Sequence, residues 1–161
     1  MKFENMAALV GNTPLIQIDF KYKDLEGSVF AKAEFYNPTG SIKDRVAQHV
    51  MRRAYETGAI KKGDTIVEAT SGNTGISFAA VGSALGHPVK IYMPDWMTSE
   101  RIHIMESFGA EVSLVSREEG GFLGSIAKAE KDGEADGVYL PRQFSNPENT
   151  EAHYLYTGRE I

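Results

Sequence analysis

The 161-residue sequence contains no cysteine. This absence excludes a disulfide framework, a thiol nucleophile and a cysteine-based metal site. The sequence also lacks an excess of basic residues, because 17 lysines and arginines stand against 22 aspartates and glutamates, a net charge of −5. Since the basic residues are scattered as well, we expect neither nucleic acid nor an anionic membrane as the main partner.

Long apolar runs are also missing. The N-terminal stretch MKFENMAALVGNTPL has no extended apolar segment, so we predict no signal peptide. The most apolar stretch, ISFAAVGSALG at residues 76–86, is too short to span a bilayer. The four histidines show no mutual spacing typical of a metal site, and we expect no metal. These absences predict a soluble protein in the cytoplasm.

The sequence does contain a regular alternation of short apolar segments and amphipathic ones. Strands are predicted at residues 29–35, 64–70, 89–94, 111–116 and 137–141, and helices at 41–57, 76–86, 98–108 and 122–131. Such repetition predicts an α/β fold with a parallel sheet and helices on both faces. Ligands of such sheets lie at the carboxyl ends of the strands. The first ~28 residues do not join the repeat, and GNTPLIQI is interpreted as a strand that belongs elsewhere.

The stretch NPTGSIKDR, residues 37–45, puts a lysine in an unusual electrostatic position. Its first four residues are typical of a turn, Ser41 of a helix N-cap, and Asp44 of the capping-box partner. Lys43 then lies in the first helical turn, where the partial positive charge of the amide end disfavours a cation. Either its side chain extends into solvent, or Lys43 is kept as an uncharged amine, a nucleophile that forms Schiff bases with carbonyl groups.

A second candidate site is TSGNTG, residues 70–75, which follows a predicted strand and opens a predicted helix. Backbone N–H groups are unpaired at such a position and bind carboxylate or phosphate. The stretch matches neither a Walker A loop nor the dinucleotide-binding pattern, and an ordinary polar turn is the alternative. If both stretches converge at one edge of the sheet, they combine an amine with an anion cradle. This combination suits a carbonyl cofactor that holds an amino acid by an imine, with the carboxylate of the amino acid clamped.

NPTGSIKDR together with EATSGNTGI resembles the signature pair of the fold-type II pyridoxal-phosphate enzymes, in particular cysteine synthase (O-acetylserine sulfhydrylase) and its relative cystathionine β-synthase. GNTPL at 11–15, the stretch at 93–112 and the stretch at 141–161 resemble further segments of the family, in the same order. The resemblance implies the N-terminal domain of the tryptophan synthase β-like fold, in an incomplete form.

By this resemblance, Lys43 is the catalytic residue and binds pyridoxal 5′-phosphate covalently, and Asn73 hydrogen-bonds the cofactor. The substrate carboxylate would be held by a loop and by one residue from the far side: Thr70, Ser71, Gly72, Asn73, Thr74 and Gln143. The implied reaction is a β-replacement in which O-acetyl-L-serine and sulfide give L-cysteine and acetate, with Lys43 removing the α-proton. In the family a homodimer forms, and in some members the C-terminal tail of serine acetyltransferase docks in the active site.

The resemblance also implies how the chain is organised. Family chains are roughly twice as long, so residues 1–36 are expected to pack with a second domain and 146–161 to begin it. Residues 37–145 would form the N-terminal α/β domain, with a mobile subdomain at about 88–132. Because the cofactor phosphate loop lies in the other half, we expect a gene fragment, a truncated chain or a split subunit, with little activity alone.

Two alternatives stay open. One is another β-replacement specificity, such as that of cystathionine β-synthase or of a diamino-acid synthase. Threonine synthase and serine dehydratase are disfavoured, because their lysine and asparagine loops usually differ. From another class, the chain could be a non-catalytic half-domain that acts through protein contacts.

Overall fold

The computed structural model describes residues 2–3 and 5–161. Its central element is a parallel sheet of four strands in the spatial order β5-β4-β3-β6. The strands are β3 (Thr65–Ala69), β4 (Val89–Pro94), β5 (Glu111–Val115) and β6 (Val138–Tyr139). All four lie within the segments predicted as strands, and the α/β prediction is confirmed.

Helices cover both faces of this sheet. They are α1 (Lys43–Thr57), α2 (Asn73–Ala84), α3 (Ser99–Ser107) and α4 (Gly121–Asp132). Ile66 and Ile91 belong to the core under α1 and α2, whereas Val67 and Tyr92 belong to a second core with α4. This division follows from the alternation of side chains along a strand.

The strand order reverses at β3. From β3 the chain proceeds through β4 to β5 on one side, and β6 then pairs with β3 on its other side. The connection from β3 to β4 runs through α2 on one face, and that from β5 to β6 runs through α4 on the opposite face. Such a reversal opens a crevice at the carboxyl ends of the two strands, here β3 and β6.

An antiparallel hairpin, separate from the parallel sheet, is formed by β1 (Leu15–Tyr22) and β2 (Leu25–Lys32). This confirms that GNTPLIQI leads into a strand outside the repeat. The strand predicted at 29–35 is displaced, because a two-residue turn begins at Lys23, whose φ of 55° suits a tight hairpin, so β2 starts and ends earlier.

The C-terminal stretch is helical. It contains α5 (Glu148–Ala152), a π-helical turn (His153–Thr157) and α6 (Gly158–Glu160). This stretch packs on α1, where Glu148 Oε2 lies 2.7 Å from His49 Nε2 and Arg53 Nε donates to Glu148 Oε1 at 3.3 Å. In residues 2–3 and 5–161, no helix is long and apolar enough to cross a bilayer.

Candidate active site

Lys43 is the first residue of α1, and its backbone N–H donates to Ser41 Oγ at 3.2 Å. The predicted capping box is wrong in both partners, because the N-cap residue is Ile42 and not Ser41, and Asp44 does not bond to the N-cap. The buried carboxylate of Asp44 instead accepts hydrogen bonds from the Thr39 N–H at 2.7 Å, the Thr39 hydroxyl and the Ser77 hydroxyl at 2.6 Å. The left-handed Gly40, with φ of 81°, makes the turn that brings Thr39 to the helix end.

The amide ends of α1 and α2 lie side by side. The hydrogen bond from Ser77 to Asp44 joins the first turn of α1 to the second turn of α2. At the opposite end, the Tyr55 hydroxyl of α1 is hydrogen-bonded to the His87 ring, just after α2. The two helices therefore run in the same direction, which brings the two predicted loops together at the carboxyl edge of the sheet.

The Lys43 side chain is half-buried, and within the described residues its Nζ makes no hydrogen bond and no ion pair. It faces the π-helical turn that contains His153. Burial lowers the pKa of the His153 imidazole, and the nearby positive charges of Lys43 and Arg45 lower it further. Within the described residues the amine of Lys43 is thus uncommitted, and its side chain is only partly exposed.

The loop stretch from Thr70 to Thr74 follows β3, and its last two residues, Asn73 and Thr74, already belong to the first turn of α2. The Thr70 N–H donates to the Tyr92 carbonyl at 3.0 Å, and the Gly72 N–H donates to Thr70 Oγ1 at 3.2 Å. Gly75 leaves no room for a side chain, because an added Cβ would lie 2.5 Å from the Thr70 methyl carbon and 2.9 Å from Met105 Cε.

This loop presents donors that the protein itself does not use. The N–H groups of Ser71, Asn73 and Thr74 donate to no acceptor in the described part of the chain. Asn73 is exposed at the start of α2. Unpaired N–H groups at the amide end of a helix bind anions such as a carboxylate.

Gln143 reaches the same place from the other side of the crevice. Its Nε2 donates to the Ala69 carbonyl at 2.8 Å, at the end of β3. The backbone carbonyl of Gln143 accepts a hydrogen bond from Asn149 Nδ2 at 3.0 Å. The structure therefore brings together the amine, the loop and Gln143, which are far apart in the sequence.

Two neighbours of this site were missed by the sequence interpretation. Arg101 Nη1 donates to the Ser71 carbonyl at 2.8 Å and places a positive charge beside the loop. Glu68 is a carboxylate in the centre of the sheet, 2% exposed, and burial raises its pKa to about 7. The signal for Glu68 was present, since it is a charged residue within the apolar strand segment DTIVEAT.

Comparison with known proteins gives the family of the chain. A family model described as pyridoxal-phosphate dependent enzyme matches residues 6–161. Cysteine synthase of Staphylococcus aureus (strain Mu50) is 41% identical over 158 residues, 98% of this chain and 51% of that protein.

Two solved structures have the same fold. A hydrogen sulfide-producing enzyme from Fusobacterium nucleatum gives a TM-score of 0.93 at 57% identity, over 96% of this chain and 46% of that one. A cysteine synthase from Entamoeba histolytica gives a TM-score of 0.91 at 35% identity, over 100% of this chain and 49% of that one.

The chain spans about half the length of the curated relatives it matches. The match to the family model nevertheless extends over almost all of this chain and includes the lysine turn, the loop after β3 and the C-terminal helices. This chain belongs to the family of pyridoxal-phosphate dependent enzymes.

Proposed function

We propose that this chain supplies the amine and carboxylate-binding half of an enzyme that acts on the β-substituent of an amino acid. One observation carries the proposal. Lys43 begins α1, and the hydrogen bond from Ser77 to Asp44 aligns that helix end with the loop after β3. The helix end that carries an uncommitted amine therefore lies beside a set of unpaired N–H groups, at the carboxyl edge of the sheet.

The residues of the crevice fit pyridoxal phosphate, because the half-buried Lys43 amine is unpaired within the described residues and can react with its aldehyde. When bound, the cofactor withdraws electrons from the substrate Cα. Lys43 would attach the cofactor and then carry the proton at Cα, and Asn73 would hydrogen-bond the 3′ oxygen of the cofactor. The loop residues Thr70, Ser71, Gly72, Asn73 and Thr74, with Gln143, would orient the substrate by its carboxylate.

The first candidate reaction is that of cysteine synthase, in which O-acetyl-L-serine and sulfide give L-cysteine and acetate. It is supported by the S. aureus relative, which is 41% identical. The alternative of a cystathionine β-synthase-like or other β-substituted alanine synthase uses the same carboxylate site with a different nucleophile. The non-catalytic half-domain stays the alternative of another class.

A second candidate is favoured by a specific observation. The F. nucleatum hydrogen sulfide-producing enzyme is 57% identical over 96% of this chain, well above the 35% of the E. histolytica cysteine synthase. This candidate releases sulfide from a sulfur-containing amino acid instead of consuming it. Both candidates need the same amine and carboxylate site, so the geometry of this half serves either one.

We further propose the organisation that the resemblance implies. Residues 1–36 would pack against a second half, residues 37–145 would form the N-terminal domain with a mobile part at about 88–132, and 146–161 would lead into the second half. A homodimer, a docked serine acetyltransferase tail and a cytoplasmic location stay predictions.

The amine is tested by titrating the purified chain with pyridoxal phosphate, reducing with borohydride and mapping the labelled peptides. We expect the label on the peptide that contains Lys43, and its loss in Lys43→Ala. Lys62→Ala, which alters an exposed lysine, is the control and should label normally. Label spread evenly over surface lysines would refute the proposed role of Lys43.

The two reactions are separated by assays on the chain combined with the second half of the F. nucleatum enzyme. Cysteine formed from O-acetyl-L-serine and sulfide would support the first candidate. Sulfide released from L-cysteine would support the second. Selective labelling of Lys43 with neither reaction would favour the non-catalytic alternative.

A further inference from the structure

Glu68 is a buried carboxylate that the proposed chemistry does not use. Among the described residues it is the only charged side chain of the four parallel strands that is buried, at 2% exposure. A carboxylate is costly to bury unless hydrogen bonds satisfy it. Here Oε1 accepts from the Ala69 N–H at 2.8 Å, and Oε2 accepts from the Gln143 N–H at 3.1 Å.

These bonds tie the two sides of the crevice together. Glu68 and Ala69 lie at the end of β3, and the loop that begins at Thr70 follows directly. Gln143 is fixed twice to this strand end, by its backbone N–H on Glu68 and by its Nε2 on the Ala69 carbonyl at 2.8 Å. Without the carboxylate, one of these two attachments is lost.

We propose that Glu68 is a positioning residue that holds Gln143 beside the loop of residues 70–74, and thereby sets the geometry of the carboxylate-binding crevice. This inference rests on the proposed function, since Gln143 and the loop are assigned there to the substrate carboxylate. Glu68 itself touches neither substrate nor cofactor and acts through Gln143.

The attachment depends on protonation. The ionised carboxylate accepts both N–H groups, whereas the protonated form turns one oxygen into a hydroxyl and weakens one of the bonds. Burial raises the pKa of Glu68 to about 7, and the bonds from Ala69 and Gln143 and the charge of Arg142 oppose that rise.

The surrounding charged and titratable groups are few. Tyr139 on β6 faces Glu68, and burial raises its pKa to about 12, so it stays neutral near pH 7. Arg142 and, from α4, Glu130 line the same small cavity of about 100 Å³. Because burial raises the pKa of Glu68 to about 7, Gln143 is held more firmly above that pH than below it.

The test is the pH dependence of the Gln143 backbone and side-chain amide resonances in ¹⁵N-labelled chain. We expect both to shift with a midpoint near pH 7, as Glu68 titrates. The midpoint should disappear in Glu68→Gln and persist in Glu130→Gln, the cavity neighbour that serves as control. Glu68→Asp keeps a carboxylate but shortens the side chain by one methylene, so that it no longer reaches Gln143. We therefore expect the pH-dependent shift of the Gln143 resonances to be lost.

Resonances of Gln143 that do not move between pH 5 and 9 in the unaltered chain would overturn the proposal, whatever the variants do. So would a shift that survives in folded Glu68→Gln. In the combined two-half protein, we expect Glu68→Gln to raise KM roughly tenfold with a smaller change in kcat, the effect of about one hydrogen bond. Because the amide shifts do not depend on activity, a failure of this inference is distinct from a failure of Lys43 labelling.

Discussion

Arg45 lies two residues after Lys43, and its side chain, unlike that of the lysine, is held by several hydrogen bonds. The guanidinium, 2% exposed, donates from Nε to Glu34 Oε2 at 2.8 Å and from Nη1 to Glu160 Oε1 at 2.6 Å. Lys32 Nζ lies 2.6 Å from Glu160 Oε2. Two cations thus face two carboxylates in a neutral cluster. Because burying charge is costly, such a cluster is stabilising only while every member is present.

Glu160→Gln tests this cluster at the residue scale. Hydrogen bonds from Arg45, and from Lys32 and the Asn12 N–H, lower the pKa of Glu160 from 4.5 to about 2. A carboxyl group whose pKa is lowered on folding stabilises the fold at any pH above its pKa in the unfolded chain. This stabilisation is lost as the pH falls from about 4.5 to about 2. We expect Glu160→Gln to lower the free energy of unfolding at pH 7 by about 3 kcal/mol and to flatten its acid dependence.

Urea unfolding at pH 3, 5 and 7 measures both effects. Glu26→Gln is the matched control, because its pair with Lys21 is exposed and surface pairs contribute little. Equal losses in the two variants would show that the Arg45 cluster contributes no more than a surface ion pair.

Among the contacts between secondary-structure elements, the one between the amide ends of α1 and α2 matters most for the site. The Ser77 hydroxyl donates to Asp44 at 2.6 Å, and both side chains are buried. We expect Ser77→Ala to cost about 1–2 kcal/mol of stability, since it removes a hydrogen bond to a charged group. It should also slow borohydride-trapped labelling of Lys43, because the helix end that carries the amine is then less firmly aligned.

Ser83→Ala is the control for this prediction, as Ser83 lies on the same helix but is exposed. Unfolding curves and labelling rates are compared for the two variants. If labelling of Lys43 is unchanged in folded Ser77→Ala, the alignment of the two helices does not govern the amine.

The elements show what the sequence could and could not predict. The α1 segment and the loop after β3 were predicted within a few residues, because periodicity and glycines mark them locally. The partner of Asp44 was not predicted, since it depends on the turn at Gly40 and on Ser77, 33 residues away. Nor was the bond between Glu68 and Gln143, which joins residues 75 apart. Contacts of this kind depend on the strand order, which local patterns do not specify.

At the scale of the whole molecule, the hairpin of β1 and β2 presents an exposed apolar surface. Paired positions share a face, so Ile18 lies opposite Val29, and Tyr22 lies opposite Leu25. These four side chains are between 47% and 69% exposed. The other face carries Leu15 and Phe30 but is otherwise polar, and it holds the hydrogen bonds of Asp19. An exposed apolar face marks an interaction surface, and we predict that it is the surface that would pack against a second half of the kind the relatives have.

Recombination of the two halves tests that assignment. We expect the chain to form a one-to-one complex with the second half of the F. nucleatum enzyme, measured by size-exclusion chromatography with light scattering. Ile18→Ser should weaken the complex at least tenfold, because a large apolar side chain is then lost from the buried face, which costs about 1.5–3 kcal/mol. Gln17→Ser, next along the strand and on the polar face, is the matched control. Equal weakening by both variants, or an unaffected complex with Ile18→Ser, would place the second half elsewhere and leave the apolar face to another partner, such as a second copy of the chain.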